Sequence, residues 1–335
     1  MRNEKVVPVI VKTSLSVAAI FSTNLAVAST TMNLGWAVPL DTQYGVFAEK
    51  FKELVEEYTA GDVEVKLRPS GQIGGEDEAF SALQLGTIDG YLISLANVSP
   101  HFPELDVLAL PYIFEGPEHA YRIFDGDIGD DMKDWVYEDT GVHMLSFNVF
   151  SYRDMYTTDR EIHGIEDMEG LKARVPKNEV MIEAYREFGA EPVPMAWSET
   201  PTALQTGTID AGDNGTEVIL SMKFYEFAKN LVILNHFGSS VPFFVSDRFM
   251  SRLSEENTDA VIRAAEEAEQ YQRELVGMEI EETRKQLVDK GMEISYPDKT
   301  GFVEAGYRVQ QHFSEERGGR FSNLVERIRA VGEDG

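Results

Sequence analysis

The sequence predicts an α/β fold of two lobes, with mixed sheets, crossing strands and a long bracing helix. Three observations carry this. First, one phrase occurs twice: residues 82–90 read Ala-Leu-Gln-Leu-Gly-Thr-Ile-Asp-Gly and residues 203–211 read Ala-Leu-Gln-Thr-Gly-Thr-Ile-Asp-Ala, seven of nine positions identical. Each copy reads as a helix end, a left-handed glycine (Gly86, Gly207) and the start of a strand. Two such joints about 120 residues apart imply two similar lobes with a cleft between them, a common place for a small ligand. Second, the first lobe opens with a β-α-β-α-β series. Third, residues 254–290 hold no proline and one glycine, Gly277. That stretch is expected to form one or two long helices lying along both lobes.

Met32 to Val38 reads as a strand. Thr42 to Tyr58 places Phe47, Phe51, Leu54, Val55 and Tyr58 on one helical face. Residues 63–67 alternate as a strand does. Gly71, Gly74 and Gly75 mark a loop before a helix at 76–85 and a strand at 88–95. Residues 97–117 hold four prolines and read as a surface excursion. Helices are expected near 118–125 and 127–139, then a strand at 142–150. In the second lobe a short helix at 165–171 leads to a strand at 172–175, stopped by Pro176. Asn178 caps a helix running to Phe188. A strand at 191–194, a helix from Ser198 and a strand at 209–213 follow. Strands near 231–237 and 241–247 cross back between lobes. The expected division is 29–150 plus about 240–279 for lobe I, and 151–239 plus about 280–335 for lobe II.

The chain has 335 residues, enough for two domains, and 43% hydrophobic residues. Residues 1–28 read as a signal peptide. Arg2, Lys5 and Lys12 precede or flank an apolar stretch, and Ala26-Val27-Ala28 is a small-residue cleavage site. There is no cysteine, hence no disulfide and no cysteine-borne lipid anchor. The protein is therefore expected free in the periplasm. The formal net charge is −28. Loss of residues 1–28 removes three cations and one anion, bringing it near −30. Such a charge argues against nucleic acid and anionic membranes as partners, and suits high external salt. The chain carries no cysteine nucleophile and no Gly-x-Ser-x-Gly, His-x-x-x-His or phosphate-loop motif. Its six histidines show no metal-ligand spacing. An enzyme is disfavoured, and no cofactor is expected.

Taken in order, several short motifs run through nearly the whole mature chain. They are Tyr44-Gly45, Gly71-Gln72-Ile73-Gly74-Gly75, Leu83-Gln84-Leu85-Gly86-Thr87-Ile88-Asp89, Leu110-Pro111-Tyr112-Ile113-Phe114 and His119-Ala120-Tyr121-Arg122. Gly170-Leu171-Lys172-Ala173-Arg174-Val175-Pro176, Phe188-Gly189-Ala190-Glu191-Pro192, Ala203-Leu204-Gln205-Thr206-Gly207 and Lys223-Phe224-Tyr225-Glu226 follow. In this order they resemble the solute-binding proteins of tripartite ATP-independent periplasmic (TRAP) transporters, the DctP-like family. The resemblance implies a periplasmic binding protein, and a monomer is expected. It implies one small ligand, mostly an organic acid, held in a cleft that closes and delivered to a membrane permease.

Arg174 is the leading site candidate. It ends a strand, where α/β lobes face their crevice, and a guanidinium matches a carboxylate with paired donors. In the resembling family the arginine of this motif clamps the ligand carboxylate. Arg153 is the second, with an ion pair to Asp154 or Asp159 as its alternative. Asn214 matches a family asparagine, with Asp213 standing beside it. Trp197 matches an aromatic that covers the ligand, and Trp36 and Asn178 are further candidates. Glu76 at a helix start and Glu217 one turn after Asn214 complete the set. If acidic groups face the ligand they favour a hydroxyl or ammonium. A C4-dicarboxylate or sugar acid is expected, with a zwitterion or small amine, or service to a membrane sensor, as alternatives.

Overall fold

The computed structural model describes residues 29–333, so the signal-peptide reading of 1–28 lies outside the described residues. Lobe I is built on a five-stranded sheet, in the order β2-β1-β3-β10-β4. Its strands are β1 (Thr30–Gly35), β2 (Val63–Arg68), β3 (Gly90–Leu92), β4 (Val142–Ser146) and β10 (Phe243–Ser246). β1 runs parallel to β2 and β3, whereas β10 lies antiparallel between β3 and β4. Lobe II holds a six-stranded sheet, in the order β11-β9-β5-β8-β6-β7. These are β5 (Val149–Thr157), β6 (Lys172–Val175), β7 (Glu191–Pro194), β8 (Ala211–Asn214), β9 (Asn230–Ser240) and β11 (Glu293–Ser295).

The helices pack where apolar spacing directs them. α1 (Gln43–Tyr58) buries Phe47 and Phe51, and Phe51 meets Phe243 of β10 edge-on at 4.8 Å. Each such buried ring contributes roughly 2–3 kcal/mol through removal of apolar surface from water. α2 (Glu76–Gln84) and α6 (Thr200–Gln205) carry the repeated phrase. Gly86 (φ 63°) and Gly207 (φ 68°) both take the left-handed conformation that ends a helix. The strands begin two residues later than the sequence suggests, at Gly90 and Ala211. Lobe I also holds α3 (Pro117–Phe124), α4 (Asp127–Thr140) and α8 (Asp247–Met250), and lobe II holds α5 (Glu179–Glu187) and α7 (Thr216–Ser221).

Three expectations need correction. The single strand expected at 142–150 is two strands in different sheets. Asn148, at φ 45°, breaks it, and asparagine tolerates that conformation better than most residues. The stretch 97–117 is no surface excursion. It winds through 3₁₀ turns at Leu95–Asn97 and Pro103–Ala109, and buries Phe102, Leu105, Val107, Leu108 and Leu110. Its prolines prevent a helix or strand, but the apolar residues between them still leave water. The C-terminal end does not stay with lobe II. α10 (Thr300–Arg317) packs on α5, but α11 (Gly319–Glu333) packs on α3 and α4 of lobe I. His119 Nε2 lies 3.0 Å from the Ile328 carbonyl, and Arg327 pairs with Asp131 at 2.7 Å.

The long helix is one element, α9 (Glu255–Asp289), ~52 Å at 1.5 Å per residue. It packs on α1 and β4 of lobe I and on β5 and α7 of lobe II. No helix among the described residues is long and apolar enough to cross a membrane.

Candidate functional site

Both lobes send residues to one interlobe cavity. Lobe I contributes Ala37 and Val38 after β1, Tyr44 on α1, Glu76 at the start of α2, and Ser94 and Asn97 after β3. Lobe II contributes Arg153 from β5, Arg174 and Pro176 from the end of β6, Trp197 beyond β7, and Asn214 at the end of β8. The lobes are drawn together. The cavity between them is only about 20 Å³. That is room for roughly one water, so a multi-carbon ligand enters only when the lobes part.

The two arginines differ sharply. Arg153 is already matched. Its Nε and Nη2 donate to the two carboxylate oxygens of Asp213 at 3.0 and 2.9 Å, and Nη2 also donates to the Asp213 carbonyl at 2.7 Å. Burial opposes the charge on Arg153, but the Asp213 carboxylate outweighs it and raises the pKa further. Burial likewise opposes ionisation of Asp213, yet Arg153 and the nearby His236 hold its carboxyl well below the usual range. His236 Nε2 stands 3.2 Å from that carboxylate and 3.2 Å from the Tyr185 hydroxyl.

Arg174 is 3% exposed and, among the described residues, has no carboxylate within ion-pair distance. Its Nη2 donates to the Met195 carbonyl at 3.0 Å, and its guanidinium lies 5.3 Å from the centroid of the Trp197 ring. Arg174 Nε, Trp197 Nε1 and the Tyr156 hydroxyl are buried without a hydrogen-bond partner. Burial lowers the Arg174 pKa, but an arginine keeps its charge in proteins. A buried cation with spare donors is costly unless an anion completes it.

Glu76 faces this cation from lobe I. The Ser94 N–H and the Asn97 amide donate to its two oxygens at 3.3 and 2.5 Å. Burial nevertheless pushes its pKa up to about 7. Asn214 Oδ1 accepts from the Gly215 N–H at 2.8 Å.

Thus Arg153, Arg174, Asn214, Trp197 and Glu76 meet at the cavity, and four sequence candidates fall elsewhere. Trp36 is fully buried in the lobe I core, its indole N–H 3.4 Å from the Pro39 carbonyl. Asp213 stands behind Arg153 as its counter-ion. Asn178 does cap α5, but its amide reaches away from the cavity into lobe I. Glu217 lines a neighbouring recess with Asp41, Gln43 and Tyr225. The ion pairs proposed for Arg153 also fail. Successive strand residues point to opposite faces, so Asp154 turns away to Thr216 and Arg284, and Asp159 pairs with Lys229. Sequence reading missed Ser94, Asn97 and Tyr44 as lining residues. The polar Ser94 and Asn97 directly after the first repeat strand were the available signal.

The sequence profile of bacterial extracellular solute-binding protein family 7, DctP, matches residues 34–316. The chain belongs to the DctP family. The 2,3-diketo-L-gulonate-binding periplasmic protein YiaO of Escherichia coli K12 is 30% identical over 89% of this chain and 91% of its own. A TRAP periplasmic solute-binding protein from Polaromonas sp. JS666, solved with D-erythronate, superposes with a TM-score of 0.86 at 32% identity, covering 90% of this chain and 99% of that one. Another from Chromohalobacter salexigens, solved with D-glucuronate, gives 0.85 at 28% identity over 90% and 99%. As a DctP-family member the chain is a two-lobed solute-binding protein, not an enzyme.

Proposed function

We propose that this protein captures a small hydroxylated organic acid in the interlobe cavity and delivers it, as a monomer in the periplasm, to a TRAP membrane permease. The observation that carries this reading is Arg174: a buried guanidinium with no carboxylate partner among the described residues, set among unpartnered donors. A ligand carboxylate completes it with charge-assisted hydrogen bonds. Glu76, Asn97 and Asn214 line the same space and offer acceptors and donors to hydroxyl groups. The acids bound by the related proteins, erythronate and glucuronate, share this chemistry. A sugar acid therefore fits better than an unsubstituted C4-dicarboxylate. The global charge does not forbid an anion, because at 0.15 M salt the Debye length is about 8 Å.

Glu76 favours one second reading. If it is ionised and Arg174 is silent, a small amine is the ligand. A thermal-shift screen of D-erythronate, D-glucuronate, succinate and a set of small amines separates the two. Hydroxy acids are expected to raise the melting temperature most. A rise with amines alone overturns the acid reading.

A further inference from the structure

A second polar cluster joins the lobes outside the cavity, centred on the Asp106 carboxylate. Asp106 lies in the Pro103–Ala109 turn of lobe I and is 1% exposed. Ser99 Oγ donates to its Oδ1 from the same lobe. Arg317, the last residue of α10, donates to Oδ2 at 2.7 Å and to the Pro103 carbonyl at 3.0 Å. The third donor is Asn178, at the start of α5 in lobe II. Asn178 Nδ2 lies 2.6 Å from Asp106 Oδ1, 2.6 Å from Ser99 Oγ and 3.3 Å from the Ala96 carbonyl. The other end of the same amide is committed to lobe II, where Asn178 Oδ1 accepts from the Met181 N–H at 2.9 Å and caps α5. One side chain therefore holds a helix of one lobe with its oxygen and the opposite lobe with its nitrogen.

We propose that Asn178, Ser99 and Asp106 form an interlobe latch, backed by Arg317, that stabilises the closed arrangement of the lobes whether or not a ligand is bound. All its partners are protein groups, so its contribution needs no occupant in the cavity. It is also tied to the cavity by short pieces of chain. Asn178 and Arg174 flank Pro176, which fixes the backbone between them. On the facing side, Ser94 and Asn97, which hold Glu76, alternate with Ala96 and Ser99, which receive Asn178. Shutting the cavity and engaging the latch are one movement.

The latch is built to release. A recess of about 700 Å³, lined by Ser99, Pro103, Lys177, Arg317 and Gly318 among others, opens beside it. Water reaches the groups that Asn178 leaves, and Asp106 keeps Ser99 as a partner when the lobes part. Asp106 itself lines that recess, so opening wets its carboxylate rather than stranding it. The neighbouring Lys177–Asp77 pair at 3.0 Å also bridges the lobes, but its lysine is exposed and such pairs count for little.

The absence of cysteine allows a clean test. A nitroxide on a single cysteine at exposed Glu78 of α2 (Glu78→Cys) broadens the amide resonances near Ser198 and Glu199 of lobe II whenever the lobes close, even in a minor population. The measurement is made without ligand, so its outcome is independent of which solute binds. The unmodified latch is expected to give detectable closed-state broadening. Asn178→Ser keeps a helix cap but loses the amide, and should lower the closed-to-open ratio about tenfold, the scale of one hydrogen bond to a charged group. Ser99→Ala leaves the cap untouched and should lower it severalfold. Lys177→Ala should change it less than twofold. No closed-state broadening in the unmodified chain, or unchanged broadening in both Asn178→Ser and Ser99→Ala, overturns the latch.

Discussion

Arg153 on β5 and Arg174 on β6 stand on either side of β8 in the same sheet, both buried and both at the cavity wall, yet only one is neutralised by the protein. Arg153 spends its fork on Asp213. Arg174 has a carbonyl, an aromatic face and no counter-ion among the described residues. Residue type and burial are alike, so neither decides the role. The partner decides it: Arg153 is a strut of the wall, and Arg174 is the group we propose for an anion.

The largest expected effect tests the strut. Arg153→Met leaves the Asp213 carboxylate buried beside an apolar chain and should cost about 3–5 kcal/mol of stability in urea unfolding. Replacing both partners with apolar residues should recover most of that loss, since no charge is then stranded. A single variant that unfolds like the parent would erase the distinction between the two arginines. Next, Arg174→Ala should weaken acid binding by about 2–5 kcal/mol in calorimetry while leaving the melting temperature unchanged or slightly higher. Unchanged affinity would remove Arg174 as the anion anchor.

The smallest effect sharpens the comparison from the opposite lobe. The Glu76 carboxyl holds its proton up to about pH 7 because of burial, whereas an unfolded one releases it near 4.5. Between those values the folded state binds the extra proton, so stability falls as pH rises through the window. Affinity for an anion should also fall above about pH 7, by at most tenfold per unit, as a negative charge develops opposite Arg174. Of the other ionisable groups facing the cavity, Tyr44 is held neutral and both arginines stay charged across this range. Glu76→Gln should flatten the affinity profile, and a profile that keeps its slope assigns the proton elsewhere.

How much of this was legible depends on distance along the chain. Arg174 was readable because its strand, its proline stop and the next helix lie within a few residues. The repeated phrase announced two helix ends for the same reason. Arg153 pointed to the wrong partners because Asp154 and Asp159 are near in sequence, whereas Asp213 is 60 residues away across a strand pair. Asn178 was read correctly as a cap and wrongly as a ligand contact, because its amide acts on residues 72 to 82 positions earlier. Trp36 and the segment 97–117 failed through tertiary burial, which local composition does not report. The departure of α11 to lobe I failed similarly, since a helix turning at Gly318-Gly319 carries no local record of the surface it will cover.

The position of β10 has a consequence in time. Sheet I places it between β3 and β4, so both of those strands wait for a partner that is synthesised about a hundred residues after β4. Until residue 246 has emerged, lobe I exposes two unpaired strand edges and cannot be finished ahead of lobe II. Pairings of such sequence separation also slow folding. The N-terminal half of this chain is thus kept from completing its sheet while the rest is still being made. That delay suits a polypeptide whose first 28 residues read as an export signal, since an unfinished sheet leaves the chain unfolded for longer.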